Sequence, residues 1–194
     1  TQPETWSRSP SISPLSETRQ PKTLPFWSSV SRLLGFSSEP SLQGATIFLR
    51  PPLRRDYKNW SRLREKSRDF LSPWEPTWPS DAHSRGAYRL RLNRYKHERR
   101  KGIGHTFFIF RQSDGALVGG LSLIHIRRGV SQSGNLGYWM GEAHAGQGYM
   151  TEAVGCLVNY AFDALALHRI EAACLLDNTA SIRVLKKSGF HEEG

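Results

Sequence analysis

The sequence predicts an α/β domain. Three observations carry that expectation. Apolar runs of strand length alternate with stretches of helical periodicity. A strand pattern ends in a glycine-rich turn that opens directly into a helix. And 194 residues, 38% hydrophobic and 11% aromatic, suffice for a packed core. No stretch approaches the roughly 20 apolar residues that cross a bilayer. Two cysteines, Cys156 and Cys174, exclude a disulfide scaffold and any CxxC zinc or redox site, and they suit the reducing cytoplasm where we expect the protein.

The elements follow in order. Residues 1–41 contain eleven serines and six of the eleven prolines. Such a stretch buries too little to offset its chain entropy, so residues 1–43 are expected to be a Ser/Pro-rich disordered leader. It lacks the basic and apolar regions of a signal peptide. Within it, residues 26–36 have the spacing of a short amphipathic helix for a membrane surface or a partner, or of loosely docked sequence. Residues 45–50 read as a strand stopped by Pro51 and Pro52. Residues 53–70 and 80–101 read as helices rich in Arg and Lys, joined by a proline-rigid loop that carries Trp74 and Trp78. Residues 105–111 and 116–126 are strands flanking Asp114-Gly115, a hairpin signal. Residues 134–141 form another strand. Met150, Ala153, Val154, Leu157, Val158, Ala161, Phe162 and Leu165 keep helical spacing throughout. Residues 169–176 read as a strand and 178–188 as a helix, with Asn178 as N-cap and Gly189 just past its end.

The formal charge of +10 is local. Residues 1–49 carry a net +1, residues 50–111 hold seventeen basic and six acidic side chains, and residues 112–194 carry a net −2. The basic segment is either a pair of solvated helices or a surface for a polyanion.

Chemistry points to residues 134–153. A strand there passes through Gly146-Gln147-Gly148 into the helix at Tyr149, where glycines allow close backbone approach and unpaired helix amides attract an anion such as a diphosphate. A P-loop is excluded because no Gly-Lys-Ser/Thr begins the helix, and a dinucleotide fingerprint because Thr151 stands where its third glycine belongs.

Three segments, Gly-Gln-Gly-Tyr-Met-Thr-Glu-Ala (146–153), Leu-His-Arg-Ile-Glu-Ala (167–172) and Asp-Asn-Thr-Ala-Ser-Ile-Arg-Val-Leu-Lys-Lys-Ser-Gly-Phe (177–190), resemble the GNAT superfamily of N-acetyltransferases. Within it they resemble the ribosomal-protein-alanine branch, often called RimJ-type. The resemblance implies a mixed, twisted sheet flanked by helices, with a splayed central strand pair that receives acetyl-CoA and needs no metal. Main-chain groups of Trp139, Met140 and Gly141 would meet the pantetheine arm. The backbone of Ala145, Gly146, Gln147, Gly148, Tyr149, Met150 and Thr151 would hold the diphosphate. Asn178 would reach the pantetheine, cap its helix, or do both. Ser181 matches the branch's proposed general acid, or is an ordinary residue of the first helical turn.

The chain departs from the superfamily pattern at three positions. Ala145 stands in place of Arg or Gln, Met150 in place of Gly or Ala, and Leu185 where many members carry a catalytic tyrosine. Members also continue past the Gly-Phe of the last helix with two strands. Residues 44–194 are therefore expected to be a C-terminally incomplete GNAT domain with an unpaired sheet edge. The general base stays open, with Glu142, His144 and Glu152 near the motif; His125 reads as an ordinary strand histidine.

The implied function is acetyl transfer from acetyl-CoA to an α-amino group, foremost the N-terminal alanine of a ribosomal protein. Two alternatives remain: acetylation of a small amine, and an inactive relative acting as a basic RNA- or ribosome-associated module through residues 50–111.

Overall fold

The computed structural model describes residues 3–10 and 40–193. In chain order its elements are β1 (Pro3–Arg8), β2 (Leu42–Gln43), β3 (Ile47–Arg50), α1 (Tyr57–Lys66), α2 (Arg68–Leu71), α3 (Arg85–Arg100), β4 (His105–Arg111), β5 (Leu117–Arg127), β6 (Ser133–Met140), α4 (Tyr149–Asn159), β7 (Arg169–Leu175), α5 (Thr179–Lys187) and β8 (His191–Glu192). The strands form one sheet in the order β2-β3-β4-β5-β6-β7-β1-β8. Every pairing is antiparallel except β6 with β7, which α4 connects as a crossover helix.

Helices cover both faces. On one face Met150, Ala153, Val154, Leu157 and Val158 of α4 and Leu185 of α5 pack with Ile109, Leu121 and Ile170 from the sheet. On the other, Trp60 of α1 and Tyr88 of α3 close over Phe108, Phe110 and Leu117. The helical spacing of residues 150–161 is thus the imprint of the first core.

The central strands part as they run. Registry between β6 and β7 ends at Leu136 opposite Ala172, yet β6 continues to Met140 and β7 to Leu175. Beyond that point β6 stays paired on its other side with β5, with Tyr138 opposite Leu121 and Met140 opposite Gly119. The expected splay is therefore present.

The N-terminal expectation fails in part. Pro3–Arg8 is not leader but a strand seated between β7 and β8, occupying the edge of β7 expected to lie open. Trp6, 1% exposed, anchors it in the core, and its ladder runs from Pro3 opposite Leu175 to Arg8 opposite Ile170. Leu42–Gln43, also assigned to the leader, pairs with β3. Composition averaged over forty residues hides short segments that pair, whether with remote strands, as Pro3–Arg8 does, or with the next strand along, as Leu42–Gln43 does. Residues 26–36 lie outside the described residues.

Two helix boundaries also shift. The helix expected over 53–70 breaks at Ser67, whose buried hydroxyl accepts the N–H of Glu142 at 3.0 Å. The helix expected from residue 80 starts at Arg85, capped by Ser84 Oγ on Ala87 N–H at 3.1 Å. At the far end α5 is capped as anticipated, with Asn178 at its start and Gly189 at φ 75° beyond it.

Candidate active site

The turn from β6 into α4 is left-handed at Gly146 (φ 75°) and Gly148 (φ 86°). A Cβ at either would meet nothing within 4 Å, so backbone conformation and not packing requires glycine, and open space lies beyond. Among the described residues the N–H groups of residues 146–151 have no backbone acceptor; the first bond of α4 runs from Glu152 N–H to Gly148 O at 3.1 Å. A row of free amides at the positive end of a helix is a site for an anion.

Two expected contacts need correction. The Ala145 amide is already bonded to Glu142 O at 3.0 Å, so donors to an anion begin at Gly146. Gly141 donates to Val118 O and accepts from His144 N–H, both at 2.9 Å. It is buried beneath Leu63 and is not among the residues that line the cleft, so it is a packing residue. The Gln147 backbone N–H stays without a backbone acceptor, as expected of a donor to an anion, while its side chain turns back to Ala143 O at 3.0 Å. A 3-10 turn over Glu142–His144 engages the Gly141 carbonyl and the Ala145 amide, and pairing with Val118 of β5 uses the Gly141 amide.

The splay opens into a cleft of about 730 Å³. Trp139, Met140, Ala145, Gly146, Gly148, Tyr149, Met150 and Thr151 line one side, and Asn178 and Ser181 the other. Sequence reasoning missed several of its walls. Tyr138 and Cys174 lie on the parting strands, Arg183 and Lys187 of α5 add cations, and Phe70 of α2 adds an apolar wall. Trp74 and Glu75 line the cleft from the proline-rich loop, whose Trp74/Trp78 pair the resemblance puts by the acceptor entrance. The signal for Arg183 and Lys187 was their spacing along the face of α5 that carries Ala180.

Residues 46–191 match the acetyltransferase (GNAT) domain family. The chain belongs to that family. It is 40% identical over 153 residues to "Probable N-acetyltransferase YjcK" of Bacillus subtilis, covering 79% of this chain and 84% of that protein. It is 28% identical over 161 residues to the [ribosomal protein uS5]-alanine N-acetyltransferase of Escherichia coli, covering 81% and 82%. Among solved structures it resembles Mycobacterium smegmatis RimJ in complex with CoA-disulfide, with a TM-score of 0.76, 32% identity, and 80% and 78% of the two chains covered. The mixed sheet and its splay are the GNAT fold, and the chain is an N-acetyltransferase domain.

Within this GNAT cleft, Ser181 Oγ stands 2.7 Å from the Tyr138 hydroxyl, and Asn178 Oδ1 accepts the Ser181 N–H at 3.0 Å. Burial pushes the Tyr138 phenol up to about 12, so it stays protonated at neutral pH. Burial also raises the Cys174 thiol. Leu185, at the position where many relatives carry a tyrosine, is fully buried.

The three acidic or basic groups near the motif separate clearly. Glu152 accepts from Thr46 N–H at 2.8 Å and Thr46 Oγ1 at 2.5 Å, so it ties α4 to the β2–β3 hairpin and serves the fold. Glu142 is exposed and is not among the residues that line the cleft. His144 lines the cleft, and burial together with the Arg111 charge holds its pKa below the usual value, leaving a neutral imidazole at pH 7. His125 is exposed on β5, away from the cleft.

Proposed function

We propose that this GNAT domain transfers the acetyl group of acetyl-CoA to an α-amino group, with the N-terminal alanine of a ribosomal protein as acceptor. One observation carries the cofactor half of this reading: the free amides of residues 146–151 and the open edge of β6 face the same cleft. The amides suit a diphosphate, Arg183 and Lys187 add positive charge, and the stretch 137–140, open on the side that faces β7, suits an amide-bearing arm that mimics a strand. The acceptor half rests on the relative from Escherichia coli that acetylates an alanine of uS5.

The residues do their work chiefly by placement. Aligning a neutral amine with the thioester supplies much of the rate. A backbone N–H near Met140 would stabilise the oxyanion. Ser181 would protonate the departing sulfur. An α-amino group with a pKa of about 8 is partly neutral at pH 7, so water or the neutral His144 suffices to take its proton.

The test uses acetyl-CoA as a thermal-shift ligand. Wild-type protein should be stabilised. Gly148→Trp, whose side chain would fill the open space over the turn, should lose the effect while still melting cooperatively. Stabilisation retained in Gly148→Trp would remove the phosphate site from this turn. Mass spectrometry of peptides beginning with Ala, and of small amines, then decides the acceptor.

A second reading concerns where the enzyme works. The seventeen basic side chains of residues 50–111 include exposed Arg54, Arg55, Lys58, Arg62 and Lys66 near or on α1 and Arg89, Lys96 and Arg100 on α3. This surface would bring the domain to ribosomal RNA beside its acceptor, and salt-dependent RNA binding tests it.

A further inference from the structure

We propose that Tyr138 is a positioning residue for proton delivery: its phenol donates a hydrogen bond to Ser181 Oγ, aims the serine proton at the departing sulfur, and replaces that proton as it leaves. The proposal rests on the reading of Ser181 as the general acid.

The two hydroxyls belong to opposite walls of the splay, Tyr138 to β6 and Ser181 to α5, and both line the cleft. Their oxygens lie 2.7 Å apart, with a second, longer approach of 3.3 Å from the phenol to Ser181 O. Asn178 fixes the Ser181 backbone through its N–H, so rotation of the hydroxyl is the freedom that remains. A phenol is the stronger acid of the pair and donates to the aliphatic oxygen. Ser181 then keeps its own hydrogen for a third partner, which is the Cys174 sulfur in this structure and the departing sulfur during the reaction, and a hydroxyl that accepts a bond is a better donor.

Proton bookkeeping shows why one serine is not enough. When the tetrahedral intermediate collapses, the C–S bond breaks and its electron pair goes to sulfur. The Ser181 proton forms the S–H bond. Acting alone, Ser181 would be left as an alkoxide, a far stronger base than the thiolate it has just quenched. With Tyr138 behind it, the phenol proton moves to Ser181 Oγ in the same event and the charge comes to rest on a phenolate, a much weaker base. The phenolate then recovers a proton from water, which has received one from the acceptor amine, so the cycle balances. Other titratable groups face this pair: Cys174 on β7, buried and against Ser181, and Asp177, Arg183, Lys187, His144 and Glu75 around the cleft.

CoA itself is the probe, so no acceptor needs to be known. Its thiol is titrated by thiolate ultraviolet absorbance when bound to wild type, Ser181→Ala, Tyr138→Phe and the double variant, with free protein subtracted. A donor to the thiolate lowers the bound thiol's pKa. Ser181→Ala and Tyr138→Phe should each raise it by about half a unit or more, roughly threefold in proton affinity, and the double variant should match Ser181→Ala. A shift in Ser181→Ala with none in Tyr138→Phe overturns the relay and leaves Ser181 in place. Additive shifts in the double variant overturn it too, because Tyr138 would then act independently. No shift in Ser181→Ala overturns the reading of Ser181 and the relay together.

Discussion

The guanidinium of Arg64 lies over the Trp78 ring at 4.4 Å and the Trp139 ring at 4.9 Å, and both its terminal nitrogens meet the carboxylate of Glu75. One buried cation thereby fastens the proline-rich loop to the cleft strand β6. Trp78 Nε1 adds a bond to the same carboxylate at 2.8 Å. Arg64→Ala removes one partner of a buried pair and strands the other, which costs about 3 kcal/mol or more. Chemical denaturation should show a loss of that size. In the surviving folded fraction, the KM for the acceptor should rise more than the KM for acetyl-CoA, since the loop that the family resemblance puts by the acceptor entrance is released and the diphosphate turn is not.

Glu152 offers a pH test of its structural role. Burial acts to raise its pKa, but hydrogen bonds from the Thr46 side chain and from the backbone of Thr46, Ala45 and Ile47 outweigh burial and lower it. A carboxyl with a depressed folded pKa stabilises the fold above its unfolded value of about 4.3, and that contribution disappears as pH falls through the folded value. Glu152→Gln should therefore be less stable than wild type at pH 7 by roughly 1 kcal/mol, after allowance for solvent screening, with the gap closing in acid. A gap that stays constant with pH would mean that the charge contributes nothing.

Trp6 should be among the costliest single truncations. It is 1% exposed and is the large apolar side chain of a six-residue strand. Trp6→Ala should cost about 3–5 kcal/mol by urea unfolding. It should also weaken acetyl-CoA binding. Beyond Ala172 the strand β7 has no partner on the β6 side, so β1 holds the stretch that carries Cys174.

For the basic surface, the informative substitutions are at Arg89, Lys96 and Arg100, which are exposed. Arg91 lies over Trp60 and Arg94 pairs with Glu98, so changing those two would disturb α3 itself. Arg89, Lys96 and Arg100 to Glu should leave acetylation of a free peptide unchanged. The same triple change should weaken RNA binding and flatten its salt dependence by about one unit of slope for each phosphate that is no longer neutralised. Unchanged RNA binding would reduce the charge to a solvated face.

Where sequence and structure agree, local physics is sufficient. The 3.6-residue period from Met150 to Ala161 specifies α4, and the Gly146 and Gly148 turn follows from the need for positive φ. The Asn178 cap and Gly189 stop likewise bound α5 from short-range chemistry. Where they disagree, the deciding contact is distant. Nothing near Pro3–Arg8 predicts a strand, because its ladder partners lie on β7 and β8. Gly141 and Ala145 look available in the sequence, but the Gly141 amide is used by Val118 of β5 and the Ala145 amide by the turn between them. The Tyr138–Ser181 bond and the Arg64–Glu75 pair join residues whose proximity arises from the splay and the loop.

The position of β1 also bears on how the domain comes to be made. A chain synthesised from its N-terminus releases Pro3–Arg8 before either of the strands that will flank it, and those two come from the opposite end of the fold. Bringing such remote segments together is the slow part of folding, because loop closure precedes any reward. The body of the sheet from β2 to β6 can form first, whereas the wall bearing Cys174 gains its brace only after β7 has appeared. Competence to bind acetyl-CoA should thus appear only once β7 has joined the sheet and been braced by β1.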